Sequence, residues 1–347
     1  AFTVTMACIS SNQAITSGAE LIQSGQADIV IAGGTETLSD PPIRVKRSVR
    51  KRLFEARKAK SPRDYLQLVK GLSPSDLLPE SPSIAEYSTG EVMGESADKL
   101  AAMFGVSREE QDEYALLSHE RAAAARDDGR LAKELVPATL PPTFDPVTTD
   151  NTIRDDSTLE KLRQLSPVFV KPFGTVTAGN SSPLTDGASA TLLMSAERAE
   201  AMGYTPTARL REYTYVAQDP GAELLLGPAY AIPKVLDAAG LTLGDIDVFE
   251  LHEAFAGQVL AVLAALDSDA FATDTLNRAS AVGAIPMDKL NTRGGSVSLG
   301  HPFGATGARI VTTAANRLHE EDGELALMAA CAAGGQGHAI LLERVAS

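Results

Sequence analysis

The chain has two cysteines, Cys8 and Cys331, and five histidines, of which His252 and His301 stand in the most suggestive surroundings. Cys8 lies in ACISSNQAI, where a β-prone stretch gives way to helical spacing. A thiol at a helix N-terminus meets the positive end of the backbone dipole and unsatisfied N–H groups, which favour thiolate and lower its pKa. That makes Cys8 a candidate nucleophile, although position alone fits an inert buried cysteine at least as well. GHPFGATG, residues 300–307, sets His301 among glycines and a proline that turn the chain tightly and hold the imidazole close to it. Histidine is the natural base for a cysteine near neutral pH. HEAFAGQVL places His252 and Glu253 at the end of the apolar run VFEL, a context that also suits a core histidine. CAAGGQGH supplies Cys331 at a strand end, followed by glycines that leave backbone N–H groups open to an oxyanion. Zinc is the competing reading of two cysteines and several histidines, but paired ligand spacing is lacking, so no metal is expected. His119, His319 and His338 have helical or terminal surroundings and read as structural or exposed.

These residues need a sizeable scaffold, and 347 residues suffice for two or three domains with a large core. Hydrophobic content of 44% and charged content of 22% are ordinary for a globular chain, and no apolar run approaches the ~20 residues of a membrane-spanning helix. Two cysteines without a CxxC pattern read as free thiols in a reducing compartment. A net charge of -14 argues against general nucleic-acid binding. Yet Arg44 to Lys70 holds eleven Lys or Arg against Glu55 and Asp64, a net +9 that leaves -23 for the rest. Such a run is either a solvated helical face or a contact for an anionic surface or phosphorylated ligand.

Along the chain, residues 1–40 predict strand, helix, strand: FTVTMA, then SSNQAITSGAELIQSG, then ADIVIAGG, a spacing that suggests a parallel βαβ unit. Residues 41–167 differ in character, with the basic run, the Pro-punctuated GLSPSDLLPESPS and a long helical stretch in which Ser107 and Glu110 form a capping-box signature. From about Phe169 onward αβ character returns. The end of the chain also echoes its beginning, because His301, like Cys8, precedes a helix that leads to a strand and a glycine pair. Two related halves whose helix N-termini face a shared cleft would produce that echo.

ACISSNQAI, GTVTAGNSS, HEAFAGQ, GGSVSLGHPFGATG and CAAGGQGH, in this order and at these separations, resemble the thiolase family over essentially the whole chain. HEAF in place of NEAF, CAAGGQGH and the long basic insert are most similar to the branch found as β-subunits of trifunctional fatty-acid oxidation enzymes and their bacterial relatives. The resemblance implies an α/β thiolase fold of five layers, αβαβα, built from two similar halves. By that resemblance, residues 1–40 and 168–200 form the N-terminal half, 41–167 an inserted helical loop domain and 201–347 the C-terminal half. It also implies that part of the family's N-terminal half precedes Ala1, so that these 347 residues alone are expected to aggregate or fail to dimerise.

The implied activity is that of a 3-ketoacyl-CoA thiolase in β-oxidation. Cys8 becomes acylated, His301 takes the Cys8 proton, and Cys331 is the acid and base. His252 stands where many members have an asparagine that organises a catalytic water. The backbone amides of Cys8 and Ala333 make the oxyanion hole, although Ala333 departs from the usual glycine. Met93, Phe169, Ala178, Ser182, Ala254 and Phe255 match positions along the pantetheine channel. Coenzyme A is the co-substrate, and no metal or redox cofactor is required. The implied partners are a second copy in a homodimer or higher oligomer, a hydratase/dehydrogenase α-subunit, and a membrane surface met through Arg44 to Lys70. The implied location is the cytoplasm in a bacterium, or the mitochondrial matrix or inner-membrane surface in a eukaryote. Two alternatives stand beside this reading, a biosynthetic acetoacetyl-CoA thiolase and a non-catalytic acyl-CoA-binding or scaffold subunit. The retained Cys331 disfavours a ketoacyl synthase, which places a second histidine there.

Overall fold

The structure is a computed structural model that describes residues 1–80 and 84–345. The chain forms two compact units, one of Ala1–Glu36 with Ala85–Ser347 and a smaller one of Thr37–Ile84. In the larger unit, helix α1 (Ser10–Gln23) buries Ser11, Asn12, Ile15, Thr16 and Gly18 at helical spacing along one face. It leads into β1 (Ile29–Glu36), as expected. The strand expected before α1 is absent: residues 1–5 carry no ladder, and only a single bridge joins Met6 to Cys8. A strand exists only where another backbone runs beside it, and none of the described strands does so here. The parallel βαβ unit is therefore not formed. β1 instead pairs antiparallel with β2 (Gly187–Met194), Ile29 opposite Met194 and Glu36 opposite Gly187.

Residues 85–167, whose sequence character groups them with the insert, pack into the larger unit. Helices α2 (Met93–Met103) and α3 (Arg108–Asp127) bury Ala97, Leu100, Tyr114 and Ala115 in its main core. The predicted capping box opens α3, with Ser107 accepting from the Glu110 N–H and Glu110 accepting from that of Ser107.

Strands β3 (Ala208–Ala217), β4 (Val248–Leu251), β5 (Leu325–Ala332) and β6 (Gln336–Arg344) form a sheet in the order β3–β6–β5–β4. β4 and β5 run parallel, and the other pairings are antiparallel. β5 is buried at every position, as its unbroken apolar run LALMAACA requires. Its side chains alternate between layers. Leu327, Ala329 and Cys331 join the core formed with helices α4 (Gly227–Ala239) and α5 (Ala256–Leu266), whereas Ala326 and Met328 join the core under helix α6 (Thr306–Glu320). Gly18 of α1 meets Val30 and Leu193, so α1 lies against β1 and β2. Helix pair, sheet, helix pair and sheet thus stack in succession.

The smaller unit holds helices at Arg47–Ala56 and Pro62–Val69, neither with a buried residue. Arg52 ties them by donating to the carbonyls of Leu68 (2.6 Å) and Lys70 (2.7 Å). The last residues of the Pro-punctuated stretch, 81–83, lie outside the described residues, as do 346 and 347.

Candidate active site

Cys8 sits on a sharp turn. Ala7 has φ +46°, a left-handed conformation that costs a residue with a Cβ roughly 1–2 kcal/mol. Three hydrogen bonds hold the turn in place: Met6 N–H to Ser10 Oγ (2.8 Å), Ser10 Oγ to the Ala7 carbonyl (2.6 Å) and Ile9 N–H to the Met6 carbonyl (3.1 Å). The residue before α1 packs onto the other half, because Ile9 forms a small core with Ala330 and Ala332 on either side of Cys331. Cys8 is half-buried against that core. The backbone N–H groups of Ala333 and of Cys8 itself face its sulfur.

The thiolate expected from the helix N-terminus is not what the surroundings favour. Desolvation pushes the Cys8 pKa up to about 11; the two N–H groups pull it down by less, and the Glu36 carboxylate adds to the rise. Helix-end logic is local, whereas the packing of a second half over the thiol is not, and here the tertiary effect wins. Cys331 is more deeply buried, and its pKa is pushed up by burial first and by the neighbouring Cys8 second. Both sulfurs are therefore thiols at neutral pH, and a nucleophile drawn from this pair needs a base.

The histidines form a second pair. His252 follows β4, its N–H donating to the Ala329 carbonyl of β5 (2.9 Å), so it stands at the same end of the parallel strands as Cys331. Its ring lies 4.0 Å from that of His301, tilted by 44°. Both are buried, and the Nε2 of each has no partner among the described residues. Burial pushes the His252 pKa down to about 3 with help from the Arg309 charge, and lowers that of His301 well below its usual value. At His301 the Thr306 hydroxyl lies 2.7 Å from Nδ1 and 3.1 Å from the Pro302 carbonyl, so its one proton can go to either. With Thr306 donating to the carbonyl and accepting from Nδ1–H, Nε2 of His301 offers a lone pair.

The two loops that carry these histidines are joined by Glu253. Its carboxylate accepts from Tyr114 Oη (3.0 Å), Ser118 Oγ (2.8 Å), Asn291 Nδ2 (2.7 Å) and the Val297 N–H (3.1 Å). Close approach of the halves needs glycine on both sides: a Cβ on Gly34 of β1 would collide with the Gly304 carbonyl oxygen, and one on Gly307, in the first turn of α6, with Asn12 Oδ1 of α1. The two helix N-termini therefore lie together, as the internal echo suggested. Ser11 Oγ accepts from the Ala308 N–H there (3.0 Å).

Most of the expected channel residues also gather. Phe169 meets Phe255 edge-on at 6.0 Å, Ser182 N–H donates to the Ala254 carbonyl (3.0 Å), and Met93 and Phe169 pack on the same core. Ala178 lies on the exposed side of the same loop. His119 is buried and accepts from the Arg154 N–H (3.2 Å), His319 is exposed, and His338 stacks on Tyr215 at 4.2 Å. Among the described residues no group of three or more His, Cys, Asp or Glu is arranged to hold a metal. Thr306, Ser296 and Arg309 were not singled out by the sequence. Ser296 Oγ is 2.9 Å from His252 Nδ1, and Arg309 Nη2 is 3.1 Å from Ser296 Oγ.

Residues 1–197 match the family model described as thiolase, N-terminal domain, and residues 204–344 that described as thiolase, C-terminal domain. The chain belongs to the thiolase family. This thiolase is 57% identical over 343 residues to the human mitochondrial trifunctional enzyme subunit beta, covering 99% of this chain and 72% of that protein. It is 47% identical to a 3-ketoacyl-CoA thiolase of Yersinia pestis, covering 99% of this chain and 79% of that one. The structure of human mitochondrial 3-ketoacyl-CoA thiolase in complex with CoA superposes with a TM-score of 0.82 at 34% identity, covering all of this chain and 78% of that one. No described helix is long and apolar enough to cross a membrane.

Proposed function

We infer that this thiolase is an acyltransferase that cleaves 3-ketoacyl-CoA with CoA, giving acetyl-CoA and a shortened acyl-CoA in β-oxidation. The observation that carries the reading is the pairing of Cys8, faced by the N–H groups of Cys8 and Ala333, with a second buried thiol at Cys331. In the first half-reaction His301 Nε2 takes the Cys8 proton as sulfur bonds to the 3-keto carbon. The oxygen that becomes negative is stabilised by donors in the site. The C2–C3 bond breaks, and the leaving acetyl-CoA carbanion takes the Cys331 proton. In the second half-reaction the Cys331 thiolate removes the proton of the CoA thiol. CoA then bonds to the acyl carbon, and Cys8 leaves and recovers its proton from His301. Both cysteines end as they began. CoA is the co-substrate, and Met93, Phe169, Ala178, Ser182, Ala254 and Phe255 line the path of its pantetheine.

Intact-mass measurement after addition of 3-ketoacyl-CoA tests the reading: an acyl adduct forms on Cys8 and is absent in Cys8→Ala. A folded protein that never acylates would support the scaffold alternative. Turnover confined to the four-carbon substrate would support the acetoacetyl-CoA alternative. Relatives named as trifunctional enzyme subunit beta support a companion α-subunit as partner; that this is a hydratase/dehydrogenase, and that the chain self-associates into a dimer or higher oligomer, rests on the family resemblance. In the smaller unit the basic segment exposes Leu53, Phe54, Tyr65 and Leu66 beside its net +9. That combination supports contact with an anionic bilayer, at the mitochondrial inner membrane in a eukaryote; in a bacterium the protein would work in the cytoplasm.

A further inference from the structure

We propose that Ser296 and Arg309 are positioning residues that keep the proton of neutral His252 on Nε2, so that the two facing imidazoles hold opposite tautomers. His252 then offers a donor, and His301 an acceptor, to the same substrate. The proposal rests on the acyl-transfer reading for what reacts and for the bare Nε2 of His301, but not for the proton of His252.

A guanidinium has donors only, so the 3.1 Å contact of Arg309 Nη2 with Ser296 Oγ uses a lone pair of the serine oxygen. Ser296 is fully buried, and its hydroxyl has one other partner among the described residues, His252 Nδ1 at 2.9 Å. Were the proton on Nδ1, the serine oxygen would accept twice and its own proton would be left without an acceptor in the interior. Stranding a buried donor is the costlier arrangement. The Ser296 hydroxyl therefore donates to Nδ1, and His252 carries its proton on Nε2.

At His301 the acyl-transfer reading needs the reverse, and the geometry admits it. Thr306 can give its proton to the Pro302 carbonyl and accept from Nδ1–H, leaving Nε2 bare. What differs is the anchor behind each hydroxyl: a guanidinium behind Ser296, a carbonyl behind Thr306. The Arg309 charge also disfavours a second proton on either ring, which keeps both neutral and the assignment intact. During acylation His301 Nε2 gains the Cys8 proton. His252 neither gains nor loses one; its Nε2–H donates to the oxygen that becomes negative.

The full chain carrying 15N-labelled histidine tests this by long-range 1H–15N correlation, with resonances assigned through single His→Gln variants. The expected result is a bare Nδ1 and protonated Nε2 at His252, and the reverse at His301. In Ser296→Ala the Nδ1 of His252 loses its donor, the Nε2–H form loses population, and kcat falls roughly tenfold with little change in KM, less than the ~10²–10³ of deleting an oxyanion donor. Ser296→Thr retains the hydroxyl and restores both. A protonated Nδ1 at His252 in the unmodified protein overturns the proposal, as does a Ser296→Ala protein with tautomer and kcat unchanged. If the tautomers are as assigned but the unmodified protein neither acylates nor turns over, the acyl-transfer reading fails and the tautomer assignment stands.

Discussion

The sheet of β3 to β6 and the pair β1–β2 meet water in opposite ways. Every residue of β5 is buried between two helical layers, whereas β1 leaves Ile31 77% exposed and β2 leaves Leu192 51% exposed. His252 and Cys331 stand on or beside the sealed sheet, and His301 precedes α6, which covers one of its faces. Cys8 enters from α1, on the side of the open pair. Cys8 is nevertheless held from the other half: Ile9 packs against Ala330 and Ala332 of the sealed sheet, and Ser11 and Asn12 meet the start of α6. The geometry at Cys8 therefore depends more on docking across the halves than on its own sheet.

The largest effect should come from the sealed side. Arg317 is fully buried and donates to Glu250 Oε1 (2.8 Å) and to the carbonyls of Phe249 (3.0 Å) and Lys289 (2.9 Å). Arg317→Met strands the Glu250 carboxylate and should lower unfolding free energy by about 3–5 kcal/mol in urea titration. A loss below ~1 kcal/mol would mean that this core is not the more rigid of the two regions. The state of Cys8 is the next measure. With its pKa raised to about 11, the thiolate fraction at pH 7–9 is small and still climbing. Iodoacetamide labelling of Cys8, read against Cys8→Ala, should keep rising with pH throughout that range. A plateau below pH 9 would show that the helix end outweighs the packing of the second half. Docking is probed by Gly307→Val, whose side chain must push Asn12 away. About 1–3 kcal/mol of stability is expected to go, together with a larger proportional loss of Cys8 acylation. Equal losses in both would show that the close approach serves folding alone. The smallest effect belongs to the open pair: Ile31→Thr should change stability by no more than about 0.5 kcal/mol, and a larger drop would reveal that the outer face of β1 is covered in solution.

Much of this arrangement was legible in the sequence because its signals are local. The helix after Cys8, the strand after it and the capping box of Ser107 and Glu110 each rest on residues within a few positions of one another. The family resemblance, carried by motifs spread over the whole chain, was legible too. What failed was whatever depended on a distant neighbour. FTVTMA has strand composition but no described strand beside it, and the Cys8 thiol is raised by packing that includes Ala330 and Ala332, more than three hundred positions away. Thr306, five residues from His301 in the same Gly-rich loop, could have been noticed. Ser296 is forty-four residues from His252, and nothing local joins them.

Glu253 sets a tolerance for the whole assembly. A carboxylate that accepts from Tyr114, Ser118, Asn291 and the Val297 N–H has one place to rest, and the segments bearing His252 and Ser296 are referenced to it. Tyr114 and Ser118 belong to α3, a helix that contributes no reacting group. Alignment error between the two histidine-bearing segments is thus corrected against a common datum on a third element. The surfaces around Phe169 and Phe255 can be recontoured without moving the His252 and Ser296 segments off that reference.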